Sequence, residues 1–479
     1  MLPHYLNWTF GLLFLGVALF SAGHALLYRR DPRAALVWIL ICLLLPGIGF
    51  GLYWLLGVNR IRTRARSWQS SGRGMKWLTP PVRQVAAAPD PIPPFPADNL
   101  AALLHLSNQI TRRPLTAGNR LQPLINGRET FPAMLKAIAK AERTLFLSTY
   151  IFGSDDIGQR FVAELGAAVR RGVDVRVLID ALGERYSLPS ARLLLTKAGV
   201  RTARFLPPFS SWGMFHLHLR NHRKLLTVDG RIGFTGGINI GRSWLSQKID
   251  QGDVLDLHFQ AQGPVVGHIE DAFLEDWHFA TGEEVSTFPH SPPLEDGTAY
   301  CRGIGAGPNE DFEKLRWLIM GALDCARQRV RIMTPYLIPD RDLISSVNSA
   351  ALRGVKVEII LPGRSNLPYV HWATRAYLWE LLEYGTRIYY RPPPFAHSKL
   401  LLVDTFFALV GSANLDPRSL RLNFEFNLEV FDPGTVKTLA EHFEQTRRVS
   451  HQVSLEEMDA RPLPVRLRDS FCKLFSPYL

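Results

Sequence analysis

Apolar residues are distributed in two different ways along this chain. Near the amino terminus, "WTFGLLFLGVALFSAGHALL" (residues 8–27) and "AALVWILICLLLPGIGFGLYWLL" (34–56) are almost unbroken, and only "YRRDPR" separates them. Each is about 20 residues long, the length at which a helix crosses the hydrocarbon core of a bilayer. A cleaved signal peptide carries a basic leader, but residues 1–7 hold no Lys or Arg, so the pattern predicts a transmembrane hairpin. Pro46, Gly47, Gly49 and Gly51 predict a kink in its second span. The "NRIRTRAR" that follows has four Arg against three in the tight loop, which favours a cytoplasmic position for the rest of the chain.

Past a Pro-rich run at 78–98, read as an extended spacer, the apolar residues fall in short bursts between amphipathic stretches. Within "NHRKLLTVDGRIGFTGGIN" (221–239), the β-prone Leu225, Leu226, Thr227 and Val228 end at Asp229-Gly230, a turn signal. They predict a buried strand. Side chains two apart on a strand share a face, so His222 and Lys224 project the same way. Two protonatable groups side by side are costly without an anion between them, which points to a phosphate or carboxylate site.

The pattern then repeats. "HSKLLLVDTFFALVGSAN" sets His397, Lys399, Asp404 and Asn414 in the order of His222, Lys224, Asp229 and Asn239. "GVRTARFLPPF" from Gly199 aligns without gaps on "GTRIYYRPPPF" from Gly385, and "RRGVDVRVLID" answers "LRGVKVEIILP". Further upstream "ERTLFLSTYIF" answers "QRVRIMTPYLI", pairing Tyr150 with Tyr336. Each half reads strand, helix, strand, helix, strand, motif strand, with Arg-Gly-Val marking a helix end and the start of a buried strand. The halves are expected to pack face to face, each giving one His and one Lys to a shared cleft.

Paired HxKxxxxD motifs, each trailed by Gly-(Gly/Ser)-x-Asn, resemble the phospholipase D superfamily. Within it, "GSANLDPRSLRLNFEFNLEVFD" and the apolar amino terminus resemble the bacterial cardiolipin synthases, over nearly the whole chain from residue 8 onward. The resemblance implies an α/β fold: two tandem phospholipase D-like α/β/α halves forming one catalytic unit, preceded by an N-terminal transmembrane helical hairpin. It implies catalysis by two His and two Lys, with no metal and no cofactor. The expected layout is an anchor at 1–66, a linker at 67–98, a first half at 99–300, and a second half at 301–479 that includes an amphipathic tail.

A phosphodiester needs its oxygens neutralised, a strong nucleophile and a proton for the leaving group. Lys224 and Lys399, with Asn239 and Asn414, are expected to cradle the oxygens. One His attacks phosphorus while the other serves the leaving group and then the acceptor; His222 is favoured as nucleophile, although little separates it from His397. Asp229 and Asp404 complete the motif but end their strands on turns, which suggests a structural part. Asp256 and Glu425 stand at equivalent places downstream and are the candidate partners for the imidazoles, with Asp253 as rival in the first half.

Composition narrows the partners. A formal net charge of +12 favours nucleic acid or an acidic membrane surface. The apolar hairpin, and the lack of a basic tail or a stacking array of aromatics, weigh against nucleic acid and favour a membrane; the resemblance to the cardiolipin synthases implies an anionic phospholipid, phosphatidylglycerol, as the partner. The resemblance implies a reaction that joins two phosphatidylglycerols with release of glycerol, at the bacterial inner membrane. A phospholipid hydrolase, a nuclease and a non-catalytic lipid scaffold are the alternatives. Cys42, Cys301, Cys325 and Cys472 are scattered, so neither a zinc ribbon nor a disulfide framework is indicated.

Two segments stand outside the repeat. "SSWGMFHLHLRN" has no counterpart in the second half; its Trp212, Met214 and Phe215 suit an acyl groove or ordinary core. His216, His218 and His222 form an HxHxxxH cluster, but no carboxylate or Cys lies at a ligand spacing. In "PVRLRDSFCKLFSPYL", Val465, Leu467, Phe471, Leu474 and Phe475 share one helical face beside Arg466, Arg468 and Lys473. Docking onto the second half is the expectation for this tail, with lipid headgroups as the alternative.

Overall fold

The structure, a computed structural model, describes residues 2–29, 32–57, 98–111, 113–206, 219–245, 253–286, 291–307 and 313–476. The chain divides into two compact units, Met1–Ser71 and Gly72–Leu479.

The first unit is built on the helix Leu2–Tyr28, of which Thr9–Tyr28 is long and apolar enough to cross a membrane. Its Ala18, Ser21, Ala22 and Ala25 are buried, small side chains that let a neighbouring backbone approach closely. His24 Nδ1 lies 2.7 Å from the Tyr53 hydroxyl, and the Trp54 indole donates to Ser21 Oγ at 3.0 Å. Phe10, Leu12, Leu19, Phe20 and Leu26 point outward. The second apolar stretch differs from the single kinked span expected. It is a helix Pro32–Leu44, a break in which Gly47 takes φ 93°, and then the short turns Ile48–Leu52 and Tyr53–Gly57. Pro46 has no N–H to continue the helix and Gly47 tolerates the left-handed backbone, so the chain turns there.

The second unit carries the duplication. Its first half contributes β1 (Thr116–Ile125), β2 (Thr144–Thr149), β3 (Asp174–Asp180), β4 (Arg201–Phe205), β5 (Leu225–Val228), β6 (Ile232–Gly236), β7 (Val254–Leu255) and β8 (Leu257–Gln262). The second contributes β9 (Ala299–Ala306), β10 (Arg329–Met333), β11 (Lys356–Pro362), β12 (Arg387–Arg391), β13 (Phe395–Ala396), β14 (Leu400–Val403), β15 (Phe407–Gly411), β16 (Glu425–Phe431) and β17 (His451–Val453). In order across the sheet, β4-β3-β2-β5-β6-β8-β1 of the first half meets β9-β16-β15-β14-β10-β11-β12-β17 of the second. The shared order reverses at the β1–β9 seam, as a two-fold repeat requires.

This corrects the face-to-face expectation. The halves join edge to edge, β1 pairing antiparallel with β9 through Thr116↔Cys301 and Asn119↔Ala299. A free sheet edge exposes unpaired N–H and C=O groups, and joining two edges satisfies both. The repeated signals act alike in the two halves. Asp155 and Asp340 cap the helices Asp156–Arg170 and Arg341–Leu352, accepting from Gly158 N and Leu343 N at 3.0 Å. Gly172 and Gly354 both take φ 89° in the Arg-Gly-Val turns that end these helices. Each half keeps its own apolar core, with Phe131, Phe161, Leu226 and Phe234 in one and Leu318, Val347, Val403 and Phe407 in the other.

The carboxy-terminal region adds a helix Pro433–Arg448, the edge strand β17 on β12, and a last helix Leu463–Lys473 packed on Pro368–Arg375. That last helix docks on the second half as expected. It does so through its polar face.

Candidate active site

Strands β5 and β14 run antiparallel to β2 and β10. Their first residues therefore lie at the carboxyl ends of the parallel strands, the end at which open α/β sheets bind ligands. His222 and Lys224 precede β5, and His397 and Lys399 precede β14. Each motif is strapped to the opposite half by backbone hydrogen bonds. His222 N donates to Phe424 O at 2.9 Å and Phe424 N to Arg220 O at 2.8 Å. Symmetrically, His397 N donates to Leu255 O at 2.7 Å and Phe395 N to Asp253 O at 3.2 Å, while β7 and β13 pair as a two-stranded ribbon.

These straps bring the next residue of one half onto the imidazole of the other. Both Glu425 oxygens lie 3.0 Å from His222 Nδ1, and Asp256 Oδ2 lies 2.6 Å from His397 Nδ1. Asp256, rather than its rival Asp253, meets the ring. The carboxylate side chains are fully buried, whereas the His222 and His397 side chains keep 13% and 10% of their surface in the cleft. A carboxylate at Nδ1 fixes the tautomer and leaves Nε2 as the open basic nitrogen.

Lys224 Nζ donates to His222 O at 2.7 Å and stands 5.7 Å over the Tyr150 ring. Lys399 Nζ lies 2.7 Å from His397 Nδ1 and 3.6 Å from Asp256 Oδ2. Tyr150 and Tyr336, paired by the repeat, set their rings edge-on to His222 and His397 at 5.5 and 6.3 Å.

Burial governs the charges here. It lowers Lys224 to about 7 against the pull of Glu425, and Lys399 to about 8 against that of Asp256. Burial and Lys399 take His397 down to about 4. His222 is also lowered by burial, with Glu425 restoring part of the fall. Burial pushes both carboxyls up, yet Lys399 and His397 bring Asp256 below its ordinary value, as His222 and Lys224 do for Glu425. A pocket with two buried ammoniums reluctant to stay charged favours an incoming anion.

Asn239 and Asn414 are buried beside the motif strands, and Asn239 Oδ1 accepts from Ile151 N at 3.1 Å. Asp229 and Asp404 lie at the far ends of β5 and β14 and hold backbone turns. Asp229 accepts from the amides of Glu142, Arg143 and Thr144, and Asp404 from those of Arg327, Gln328 and Arg329. Both sit at positive φ, 55° and 53°, as turn residues.

Arg223 was not singled out from the sequence. Sitting between His222 and Lys224, it has opposite strand parity, and its fully buried guanidinium donates to Glu425 O at 3.1 Å and Asp276 Oδ1 at 3.0 Å. It anchors the strand that carries Glu425. The variable position of Gly-(Gly/Ser)-x-Asn also matters. Ser412 Oγ donates to Glu425 Oε2, whereas a Cβ on Gly237 would stand 2.3 Å from both Asp256 oxygens. Trp212, Met214, Phe215, His216 and His218 lie outside the described residues. Among the described residues no three His, Cys, Asp or Glu gather as metal ligands.

Two His-Lys strands meeting in one cleft of a doubled α/β unit define the phospholipase D class. A family model described as "Cardiolipin synthase, PLD-like domain" matches residues 134–277 and 319–447, and one described as "Phospholipase_D-nuclease N-terminal" matches 16–57. The chain is 33% identical over 460 residues to the cardiolipin synthase of Geobacillus kaustophilus, covering 95% of this chain and 90% of that protein. It is 32% identical to the major cardiolipin synthase ClsA of Bacillus subtilis, covering 94% and 95%. Among solved structures, phosphatidylserine synthase of Haemophilus influenzae shares the fold, with a TM-score of 0.60 at 18% identity over 80% of this chain and 100% of that one. The chain belongs to the cardiolipin synthases, phosphatidyltransferases of the phospholipase D type.

Proposed function

We propose that this enzyme transfers a phosphatidyl group from one phosphatidylglycerol to another, releasing glycerol and forming cardiolipin. The observation that carries the reading is the crossed pair of buried carboxylates, each holding Nδ1 of the other half's imidazole. His222 Nε2 attacks phosphorus, and the bond from phosphorus to the glycerol oxygen breaks as His397 gives that oxygen its proton. A headgroup hydroxyl of the second lipid then passes its proton to His397 and attacks, breaking the phosphorus–nitrogen bond. Lys224, Lys399, Asn239 and Asn414 hold the non-bridging oxygens, and Asp256 and Glu425 orient the rings. In the empty site His397 sits at about 4; the anionic phosphodiester supplies the charge that draws a proton onto it. A phosphodiester is exchanged for a phosphodiester, so the scheme needs neither nucleotide nor metal.

The proposed layout is an anchor at 1–66, a linker at 67–98, and halves at 99–300 and 301–479. Both apolar stretches sit in the inner membrane of a bacterium as a hairpin, the second broken at Pro46, with the catalytic halves on the cytoplasmic side. Water competes with the acceptor for the covalent intermediate, so transfer requires a concentrated, pre-bound acceptor lipid. The test is purified protein in detergent with phosphatidylglycerol as sole lipid, the products resolved by mass. Cardiolipin and glycerol are expected, and excess glycerol should drive the reaction backward. Predominant phosphatidic acid would make the protein a hydrolase.

A further inference from the structure

The last helix, Leu463–Lys473, is inside out. Leu463, Leu467 and Phe471, with Leu474 and Phe475 just beyond the helix, form one stripe, and their exposures are 66%, 60%, 61%, 73% and 47%. Asp469, on the opposite face, is 1% exposed and takes Arg461 at 2.7 Å, Arg468 at 2.8 Å and Arg375 at 3.3 Å. Lys473 reaches Glu380 at 3.1 Å, and the Tyr377 hydroxyl donates to Ser476 Oγ at 2.9 Å. A helix on a water-facing surface normally buries its apolar stripe, because that burial drives its docking. Here ion pairs fix the polar side inward and hold the stripe outward.

We propose that this stripe is a membrane contact of the catalytic unit, separate from the amino-terminal apolar helix, and that it lies in the headgroup region of an anionic phospholipid bilayer. Charge and aromatic placement favour lipid over a protein partner. Arg466 is exposed, Arg468 keeps 38% and Lys473 26% of their side-chain surface, and they flank the stripe. Arg468 stacks 4.4 Å over Trp372, and the half-exposed Trp379 lines a hollow with Arg466. An apolar stripe edged by cations and tryptophan is the composition of an interfacial helix.

Its position suits the chemistry. The helix rests on Pro368–Arg375, which follows the carboxyl end of β11, and Cys472 packs in the cluster that contains Tyr336. Tyr336 in turn lies 6.3 Å from His397. Stripe and cleft are at one end of the sheet, so seating the stripe turns the cleft toward lipid headgroups.

The test uses full-length protein with Phe471→Cys in a Cys325→Ser, Cys472→Ser background. The new thiol carries a nitroxide, and the protein is placed singly in nanodiscs with and without anionic phospholipid. Oxygen accessibility should rise and nickel-chelate accessibility fall only with anionic lipid, while a label on the exposed Lys197→Cys, just before β4 at the other end of the sheet, should change less. A label that stays water-accessible overturns the proposal, as does dipolar coupling between labels in detergent, which would make the stripe a contact between copies. As an independent readout, Leu467→Asp with Phe471→Asp should lower turnover in bilayers by about ten-fold and leave it unchanged in detergent micelles. Equal loss in both overturns the membrane contact, whereas absence of all activity in the unsubstituted protein would sink only the catalytic reading.

Discussion

The two halves of the site are built from one repeat yet hold their histidines differently. Glu425 spreads over His222 with both oxygens and is itself steadied by Ser412 and by Asn423 Nδ2 at 3.3 Å. Asp256 gives His397 one oxygen, and Lys399 stands 3.6 Å from that same oxygen while its other oxygen takes Leu257 N at 2.8 Å. Both lysines donate to the backbone oxygen of their own histidine, and Lys399 in addition stands against the carboxylate that holds the ring. An imidazole that faces both oxygens of its carboxylate stays the better base, and one whose carboxylate oxygen also lies against an ammonium releases a proton more readily. This difference between the two copies is the reason for proposing His222 as the nucleophile and His397 as the acid.

The largest test of this division removes the rings. His222→Ala and His397→Ala should each cut turnover by about 10⁴-fold or more with folding intact by circular dichroism, because the pair acts as a unit. The two should differ in what accumulates: His397→Ala should build a phosphatidyl label on His222, detectable by mass. A label on His397 in the unsubstituted protein would reverse the assignment.

The carboxylates come next. Glu425→Gln and Asp256→Asn should each slow turnover by roughly 10- to 1,000-fold with little change in lipid binding. If the halves divide the work as argued, Glu425→Gln should mainly slow attack on the donor lipid, read as the first-turnover release of glycerol. Unchanged rates in both variants would leave the carboxylates a purely structural part.

Gly237→Ser makes the first half copy the second. Its Cβ would fall 2.3 Å from Asp256, displacing the partner of His397, and a loss of about 10- to 100-fold is expected. Ser412→Gly removes one hydrogen bond to Glu425 and should cost less than about ten-fold. Equal losses would mean the asymmetry at this position is incidental.

The last test is the pH dependence of binding, spread over several pH units. Each lysine has a higher pKa with an anion bound than in the empty site, so binding takes up protons. Affinity should be highest below about 7 and weaken as pH rises through about 7 for Lys224 and about 8 for Lys399, by at most about ten-fold per pH unit per lysine. Calorimetric titration with glycerophosphoglycerol, a soluble headgroup analogue, checks this. A flat profile between pH 6 and 9 would show that both lysines stay charged without ligand.

Much of this arrangement was legible as pattern. The doubled motif, the Arg-Gly-Val helix ends, the pairing of Tyr150 with Tyr336 and the equivalence of Asp256 with Glu425 all follow from alignment of the chain on itself. Arg223 escaped because its neighbours draw the eye: on a strand it faces away from His222 and Lys224, and only a three-dimensional partner such as Asp276 reveals its part. The orientation of the last helix escaped for a related reason. Periodicity finds two faces on an amphipathic helix but does not say which one meets the body, and four buried or half-buried charges, Arg375, Arg461, Arg468 and Asp469, decided it.

The sequence by itself determined the local structure of each half, because strand alternation, turn residues and helix caps act over a few neighbouring positions. It also determined which side chains are candidates for the chemistry, since two copies of His-x-Lys can be compared residue by residue. Only the tertiary structure decided that the sheets join along β1 and β9, and that Glu425 serves His222 while Asp256 serves His397. Those partners lie 203 and 141 residues apart. Contacts of that range depend on how edges pair and backbones cross between the halves, which no local pattern of residues encodes.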